Sequence, residues 1–426
     1  MVVEGRDDEA PTVLVQQVLS SLSGELERIA TEVDDVEIAT RIRRAGSLTG
    51  WARAELASTE DDAQLWQAVA DLVDAGAPFE QVGEAIRRAQ RANAGISTVM
   101  DHPEASTAGI PTAAEVAEYL RSVRGIDPVS VHSVRALTGG FSKRTLLVDL
   151  TTDGLRDQVV VRQIQAGRKS SQLAPEYSVL KAVHGAGIPT PEPLWLQATD
   201  NILGGPFFVM RRAHGDIVGD LWGGQLASRE LCLDVARLYA RMHQLDAAEW
   251  EMPFSPRLTE PQLREMIDWQ EQTLLKRGIS PEPVLRALLS WLRANVPTPA
   301  ARASLLHGDA SFSNLLVEND RVTSVLDWEA AHVGNAAEEL AFLRPSVEPI
   351  VPWDDFIAAY TEAGGSVPDD RALQFFTVWA HTWRYIGCLW LRQAHARTGL
   401  YPHAVAAYAH GPRFLSDAIA TAFPER

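Results

Sequence analysis

The residues best suited to chemistry lie in the segment 305–316, which reads LLHGDASFSNLL. Asp309 and Asn314 stand five positions apart between two apolar runs, and Asp327 follows at the end of a second short apolar run. Two short strands joined by a turn would bring Asn314 and Asp327 to one edge. Phosphoryl transfer requires such a set, in which one carboxylate accepts a hydroxyl proton while an amide and a second carboxylate hold Mg²⁺ against the phosphates.

These motifs also carry a resemblance to a known family. His-Gly-Asp-x-x-x-x-Asn, followed by Leu-Asp-Trp-Glu at 326–329, resembles the aminoglycoside phosphotransferase (APH) family of kinase-like enzymes. The run VLDWEAAHV at 325–333 is similar to one branch of that family, which includes the kinase portion fused to acyl-CoA dehydrogenases and bacterial kinases of 4-hydroxyacyl-CoA. The resemblance covers about residues 110–426.

The resemblance implies a role for each residue of these motifs. Asp309 would be the catalytic base, and His307 would orient the catalytic loop without transferring protons. Asn314 and Asp327 would bind the metal. The implied cofactors are ATP and Mg²⁺, and the implied reaction is phosphorylation of a hydroxyl group on a small molecule.

A glycine-rich stretch, LTGGFSKRT, lies upstream between two predicted strands. Paired glycines allow backbone N–H groups to approach phosphate oxygens, but the same residues also suit a plain hairpin turn. In the family this stretch covers the nucleotide, so the resemblance implies that ATP is bound by Gly139, Gly140, Phe141 and Ser142. The family often has Asn where Lys143 stands, and the lysine would add a positive charge.

Arg162 ends the run VVVR, at a point where kinase-like folds usually have a lysine. By resemblance Arg162 holds the nucleotide phosphates, because a guanidinium can bind phosphate through two hydrogen bonds. Glu176 in the following predicted helix matches its glutamate partner. The alternatives are a surface arginine on an edge strand and an ordinary solvated glutamate.

The stretch PFFVMRRA at 206–213 resembles the strand and hinge that receive adenine. The resemblance implies that Met210 gates the nucleotide pocket and that the backbone of Arg211 and Ala213 binds the base. A buried core strand explains the same apolar residues equally well.

Hydrophobic periodicity predicts the elements that must position these residues. A helix is expected from Pro111 to Val123 and another at 175–184. Strands are expected at 133–138, 145–150, 158–163, 194–198 and 206–211. Beyond Gly215 the pattern is mostly helical, except near 315–326. The expected fold class is α+β, and by resemblance a protein-kinase-like (APH-like) fold of two lobes. A small antiparallel sheet would form the N-lobe at 106–213, and a helical C-lobe would follow at 214–426.

Residues 1–105 lie outside the resemblance and are more acidic than the rest of the chain. Apolar residues recur there at helical spacing, which predicts an all-α N-terminal bundle. Such a bundle could serve self-association or another interaction, or could cap the substrate site.

Composition excludes several classes of function. The 426 residues carry 39 Lys+Arg against 56 Asp+Glu, a formal net charge of −17, which disfavours binding to nucleic acid or to anionic membranes. The sequence lacks a signal peptide and a long apolar run, so we expect a cytoplasmic protein without a membrane partner. No Ala-Pro-Glu segment follows Asp327, which favours small-molecule over protein phosphorylation.

The acceptor is open to several interpretations. A hydroxyacyl-CoA, a hydroxy acid or an apolar alcohol ranks first, because of the branch resemblance and an aromatic segment near the C-terminus. Trp379, Trp383 and Trp390 of that segment would line an apolar substrate pocket, although core packing is the alternative for each. An aminoglycoside or macrolide antibiotic is the second candidate acceptor. A non-catalytic, kinase-like nucleotide-binding module is the other class, suggested by Arg162 in place of lysine.

Overall fold

The structure, a computed structural model, describes residues 110–137, 143–164, 173–219, 227–299, 302–398 and 401–424, with isolated positions between 68 and 81. The bundle predicted for residues 1–105 lies outside the described residues, apart from those isolated positions. The predicted nucleotide-covering loop residues also lie outside them, namely Gly139, Gly140, Phe141 and Ser142.

The chain divides into two compact units. The first comprises residues 102–263 and 297–373, and the second includes residues 264–296 and 374–426. Both units contribute to the stretch predicted as one C-lobe at 214–426, so the lobe boundaries remain a prediction.

An antiparallel sheet of five strands forms one part of the first unit, in the order β1-β2-β3-β5-β4. The strands are β1 (Val129–Ala136), β2 (Arg144–Thr152), β3 (Leu155–Gln163), β4 (Pro193–Gln197) and β5 (Phe207–Arg211). All five overlap the runs that the sequence predicts as strands, although β1 begins four residues before its predicted run and β3 begins three residues before. The antiparallel sheet predicted for the N-lobe is therefore confirmed.

Two helices accompany this sheet, α1 (Ala113–Ser122) and α2 (Leu173–Gly185). Helix α1 begins after Thr112, whose side chain accepts the N–H of Glu115 while the Glu115 carboxylate accepts the N–H of Thr112. This reciprocal capping satisfies two backbone donors at the helix start. The buried face of α1 packs with the sheet in one apolar core, which includes Tyr119, Leu146 and Phe207.

The remaining strands of the first unit are short: β6 (Asp216–Ile217), β7 (Ser304–Leu306), β8 (Leu315–Glu318), β9 (Arg321–Val325) and β10 (His332–Gly334). They form one sheet of order β6-β8-β9 and one pair, β10-β7. The sequence predicted only β8 and β9 in this part of the chain. Strands of two or three residues are too short to show the alternation by which a strand is recognised.

The other described helices are α3 (Arg229–His243), α4 (Glu260–Lys276), α5 (Pro283–Ala294), α6 (Ala336–Val347), α7 (Trp353–Glu362), α8 (Asp370–Thr398) and α9 (Tyr401–Ala422). Helices α3, α6 and α7 lie in the first unit, whereas α5, α9 and most of α4 and α8 lie in the second. Among the described residues, no helix combines the length and the apolar character that crossing a bilayer would require.

The pairing of β7 with β10 brings two loops together. Leu306 lies opposite His332 in this antiparallel pair, so the loop that follows β7 runs beside the loop that precedes β10. Gly308 has φ +80°, and a Cβ at this position would lie 2.2 Å from the carbonyl oxygen of Ala330. Glycine is therefore required at 308 both by the backbone conformation and by the close approach of the two loops.

We expect Gly308→Ala to destabilise the protein more than Gly187→Ala does. Gly187 has nearly the same φ, +79°, but a Cβ there meets nothing within 4 Å. The control should cost about 1–2 kcal/mol for the left-handed backbone alone, and Gly308→Ala should cost at least about 1 kcal/mol more because the backbone must shift. Urea unfolding followed by tryptophan fluorescence measures both. Equal losses would contradict the role given to the close approach.

Candidate active site

Five charged side chains meet beside the five-stranded sheet. This charged cluster consists of Lys143, Arg162, Glu176, Asp327 and Glu329. Thr145 of β2 lies directly opposite Arg162 of β3, so the two side chains share one face of the sheet. Lys143 lies just before β2, and its ammonium contacts the same two carboxylates, Glu176 and Glu329, as the guanidinium of Arg162.

The cations of the cluster have different principal partners. The Nζ of Lys143 lies 2.8 Å from Oε2 of Glu176 and also donates to Glu329. Arg162 donates to Oδ1 of Asp327 over 2.6 Å and lies 3.7 Å from Glu176. Glu176 was expected to pair with Arg162, but its nearer partner is Lys143. Sequence reasoning noted Lys143 only as an added charge, and its spacing from Thr145 was the signal that could have placed it.

Burial strengthens these ion pairs. The side chains of Lys143 and Glu176 are each 2% exposed. Burial by itself lowers the pKa of Lys143, but the carboxylates of Glu176 and Glu329 outweigh it, so the pKa is raised and the ammonium stays charged. Burial raises the pKa of Glu176, and the charges of Arg162 and Lys143 oppose that rise.

His307 links the two loops that β7 and β10 bring together. Its Nδ1 accepts the N–H of Asp309 over 3.3 Å, so its Nε2 donates to the carbonyl oxygen of Leu326 over 2.7 Å. The ring packs edge-on against Trp328, with the centroids 4.9 Å apart. Both ring nitrogens are used in these contacts, which places His307 in a supporting position.

Asp309 and Asn314 are bonded to each other. The Nδ2 of Asn314 donates to Oδ2 and to the carbonyl oxygen of Asp309, each over 2.9 Å. Because Nδ2 is directed at Asp309, Oδ1 is the atom that Asn314 can offer to a cation. The N–H of Leu326 donates to the carbonyl oxygen of Asn314 over 2.8 Å, which holds the residue before Asp327 at the same edge.

The donor set at this edge fits Mg²⁺. Asp327 has φ +64° and lies at the start of a short 3-10 helix, Trp328–Ala330. No group of three or more His, Cys, Asp or Glu side chains suited to a metal occurs in the part of the chain that the structure describes. One amide oxygen and one carboxylate, completed by phosphates and water, are the kind of ligands with which Mg²⁺ is held beside a nucleotide.

A buried carboxylate holds the backbone of the loop that carries Asp309. Glu339 of α6 accepts the N–H of His307 over 3.1 Å and the N–H of Gly308 over 2.9 Å. It also contacts Nε2 of His243 at 3.0 Å, and His243 contacts the hydroxyl of Tyr360 at 2.8 Å through Nδ1. Burial would raise the pKa of Glu339, but the His243 and Gly308 hydrogen bonds keep it below its ordinary value. No functional role is assigned to this position in the sequence analysis.

The predicted hinge lies at the end of strand β5. Met210 lies opposite Val160 of β3 near the end of β5, and the N–H of Arg211 donates to the carbonyl oxygen of Glu192 over 2.8 Å. That N–H is therefore engaged within the sheet, which leaves the carbonyl oxygen of Arg211 and the backbone of Ala213 as the groups for a base. Their adenine-binding role remains a prediction.

The predicted substrate tryptophans all lie on α8, in the second unit. Trp379 is buried, and the guanidinium of Arg277 lies 4.7 Å from the ring centroid of Trp390. Trp383 is half-buried. These surroundings suit packing among the helices of the second unit, and a substrate role for the three residues remains a prediction.

We expect Glu339→Gln to lower the free energy of unfolding by about 1–3 kcal/mol, because the amide group turns a donor toward groups that already donate. Glu348→Gln is the matched control, since Glu348 follows the same helix and its side chain is 49% exposed beside Arg344. The control should cost less than about 1 kcal/mol. Urea unfolding at pH 7 gives both values. A loss in Glu339→Gln no larger than in the control would contradict the anchoring role.

Comparisons with known proteins agree with this geometry. The model of the APH phosphotransferase enzyme family matches residues 133–376. Acyl-CoA dehydrogenase family member 11 of Pongo abelii is 26% identical over 217 residues, which are 48% of this chain and 27% of that protein. Acyl-CoA dehydrogenase family member 10 of Mus musculus is 27% identical over 262 residues, 58% of this chain and 24% of that protein. The chain thus spans about a quarter of the length of these curated relatives.

Solved structures show the same fold. A protein of Ralstonia eutropha jmp134, provisionally assigned as an aminoglycoside phosphotransferase, is 19% identical with a TM-score of 0.57, covering 72% of this chain and 97% of its own. A macrolide 2'-phosphotransferase type I is 19% identical with a TM-score of 0.50, covering 70% and 97%. The kinase-like fold class predicted from the sequence is confirmed. Matched by the family model over more than half of its length, the chain belongs to the APH phosphotransferase enzyme family.

Proposed function

We propose that this protein is an ATP- and Mg²⁺-dependent kinase that phosphorylates a hydroxyl group of a small molecule. The proposal is carried by one observation, the bonded set of Asp309, Asn314 and the segment leading to Asp327. A base and two metal ligands held at one edge are what phosphoryl transfer needs from a protein. Membership of the phosphotransferase family supports the same conclusion.

In this proposal Asp309 orients the acceptor hydroxyl and takes its proton. The acceptor oxygen then forms a bond to the γ-phosphorus while the bond to the bridging oxygen of the nucleotide breaks. The Oδ1 of Asn314 and the carboxylate of Asp327 would hold Mg²⁺, and a bound Mg²⁺ would supply positive charge against the phosphates. His307 fixes the loop that carries Asp309, since both of its ring nitrogens are engaged with the backbone.

The nucleotide would be held by elements of the N-lobe at 106–213. Arg162 would contact its phosphates, and Gly139, Gly140, Phe141 and Ser142 would cover them. Met210 would border the base, with the carbonyl oxygen of Arg211 and the backbone of Ala213 as its hydrogen-bonding partners. Glu176 would position the cations of the charged cluster.

For the acceptor we propose a hydroxyacyl-CoA, a hydroxy acid or an apolar alcohol. The run VLDWEAAHV and the two curated relatives, both acyl-CoA dehydrogenase family members by name, support this class. An antibiotic is the second candidate, because the net charge of −17 would suit a cationic aminoglycoside. Net charge is a weaker argument than a motif, because it changes the rate at which a charged compound meets the protein more than the fit of that compound in one pocket.

The acceptor is identified by incubating the protein with Mg²⁺-ATP and a panel of hydroxyacyl-CoAs, hydroxy acids, alcohols, aminoglycosides and macrolides. Mass spectrometry then detects an added phosphate. We expect product among the acyl and alcohol compounds. Product only on an antibiotic would overturn our ranking of the acceptors. Absence of any nucleotide binding would contradict the kinase proposal itself.

Asp309→Asn should lower turnover by a factor of about 10²–10⁴, the usual contribution of a positioned base. Its affinity for Mg²⁺-ATP should stay within about threefold of the wild type, because the amide keeps the shape of the side chain. Asp200→Asn, at an exposed position between β4 and β5, should change neither value. Steady-state kinetics and isothermal titration calorimetry separate the two effects. Unchanged turnover in Asp309→Asn would favour the non-catalytic binding module.

Asp327→Asn should raise the Mg²⁺ concentration needed for half-maximal ATP binding by about tenfold or more, since a charged metal ligand is lost. Asp309→Asn serves as the internal control and should leave that concentration nearly unchanged. A Mg²⁺ titration at fixed ATP, followed by fluorescence of a labelled nucleotide, measures both variants. An equal Mg²⁺ dependence in wild type and Asp327→Asn would argue against the assigned ligand.

A further inference from the structure

One buried cation of the charged cluster has no place in the proposed reaction. The sequence contains four lysines, Lys143, Lys169, Lys181 and Lys276. Of the three that the structure describes, Lys181 and Lys276 are exposed, whereas Lys143 is buried. Burial of an ammonium is costly unless it is paired, so the position of Lys143 calls for a physical reason.

Lys143 lies beside Arg162 in the charged cluster, where both cations contact Glu176 and Glu329. Arg162 lies opposite Thr145 and donates to its hydroxyl over 3.3 Å. Lys143 lies just before β2, two residues from Thr145 along the chain, and comes directly after the predicted nucleotide-covering loop. A phosphate that Arg162 could reach would therefore also lie near Lys143.

The two cations also divide the carboxylates between them. Glu176 lies 2.8 Å from Lys143 but 3.7 Å from Arg162, whereas Asp327 lies 2.6 Å from Arg162. The lysine is thus the cation that the glutamate of α2 positions. The arginine is the one that is bonded to the predicted metal ligand.

We propose that Lys143 is a second phosphate-binding cation of the active site, positioned by Glu176 and directed at the phosphates next to the adenosine end of the nucleotide. An ammonium has three donors, so it can keep its bond to Glu176 while it donates to a phosphate. The second contact of Lys143, with Glu329, is the one that a phosphate would replace. Glu329 is 32% exposed and returns to solvent more easily than Glu176, which is 2% exposed.

The inference rests on the proposed function, because it assumes that the site binds a nucleotide. Its rival is a structural role, in which Lys143 only neutralises the buried carboxylate of Glu176. The two roles differ in what restores binding. If the lysine only neutralises charge, removal of the Glu176 charge together with the lysine restores nucleotide affinity, whereas a lost phosphate contact is not restored.

Isothermal titration with Mg²⁺-ATP, Mg²⁺-ADP and adenosine tests this on the full chain. We expect Lys143→Met to bind ATP and ADP about ten- to a hundredfold more weakly, as for a lost hydrogen bond to a charged group. Adenosine should bind within about threefold of wild type. Lys181→Met, at an exposed position on the same helix as Glu176, is the matched control and should bind all three ligands normally.

The double variant Lys143→Met/Glu176→Gln decides between the two roles. Weak ATP and ADP binding in the double variant supports the phosphate contact, and recovery to near wild-type affinity would overturn it. Wild-type affinity in Lys143→Met would also overturn it while the kinase proposal stands. Absence of nucleotide binding in the wild-type chain would overturn both proposals together.

A second measurement uses the wild-type chain, so it does not depend on a variant that folds. An acyl phosphate of ADP acylates the lysine amine nearest the phosphates, and peptide mass spectrometry locates the acyl group. We expect modification of Lys143 and protection by excess Mg²⁺-ATP. Protected modification at Lys169, Lys181 or Lys276 in its place would contradict the inference.

Discussion

The carboxylate of Glu339 is the constraint on which the loop that carries Asp309 depends. It accepts the backbone N–H groups of His307 and Gly308, two consecutive residues that follow directly after the short strand β7. A loop of this kind would otherwise leave its amides unsatisfied in a buried place, at a cost comparable to lost hydrogen bonds. With these amides satisfied, the side chain of the next residue, Asp309, projects from a fixed backbone. His243 contacts this carboxylate and keeps it charged and oriented, and the hydroxyl of Tyr360 in turn contacts the other ring nitrogen of His243.

The same loop is held from its other side by close backbone contact. Gly308 lies against the carbonyl of Ala330, and His307 bridges to the carbonyl of Leu326. These contacts tie the loop that carries Asp309, the proposed base, to the loop that carries Asp327, the proposed metal ligand. Phosphoryl transfer depends on the placement of charged groups more than on covalent chemistry by the protein. The contacts that hold the two loops against each other are therefore a large part of what the fold would contribute to this reaction.

Electrostatic interactions dominate the charged cluster beside the five-stranded sheet. Two cations, Lys143 and Arg162, face the three carboxylates of Glu176, Asp327 and Glu329, so these five groups carry a formal net charge of −1. Such a group of charges attracts a divalent cation, and a cation held by Asp327 would free the guanidinium of Arg162 to contact phosphate oxygens. The cluster is therefore suited to bind metal and nucleotide together. Removal of Lys143 would take from the buried carboxylate of Glu176 its nearer partner, at 2.8 Å, and leave it Arg162 at 3.7 Å.

Local patterns in the sequence were sufficient for the five strands of the main sheet, for helix α1, and for the motif residues Asp309, Asn314 and Asp327. Those features depend on neighbours within a few residues, because side-chain alternation, capping and turn chemistry are local. The family resemblance likewise rested on short contiguous runs. The strands β6, β7 and β10 were missed because two or three residues carry no period, and yet β7 and β10 bring the two loops together.

Only the tertiary structure decided which charges meet. Lys143 lies 33 positions before Glu176 and 186 positions before Glu329 in the chain, and no local pattern links them. Their contact follows from sheet register and from how α2 and the Asp327 loop approach the same face. In the same way, Glu339 became the anchor of residues 31 and 32 positions away. The sequence by itself determined the residue types that phosphoryl transfer requires, whereas long-range packing chose their partners, because the energy of an ion pair depends on distance and burial in space.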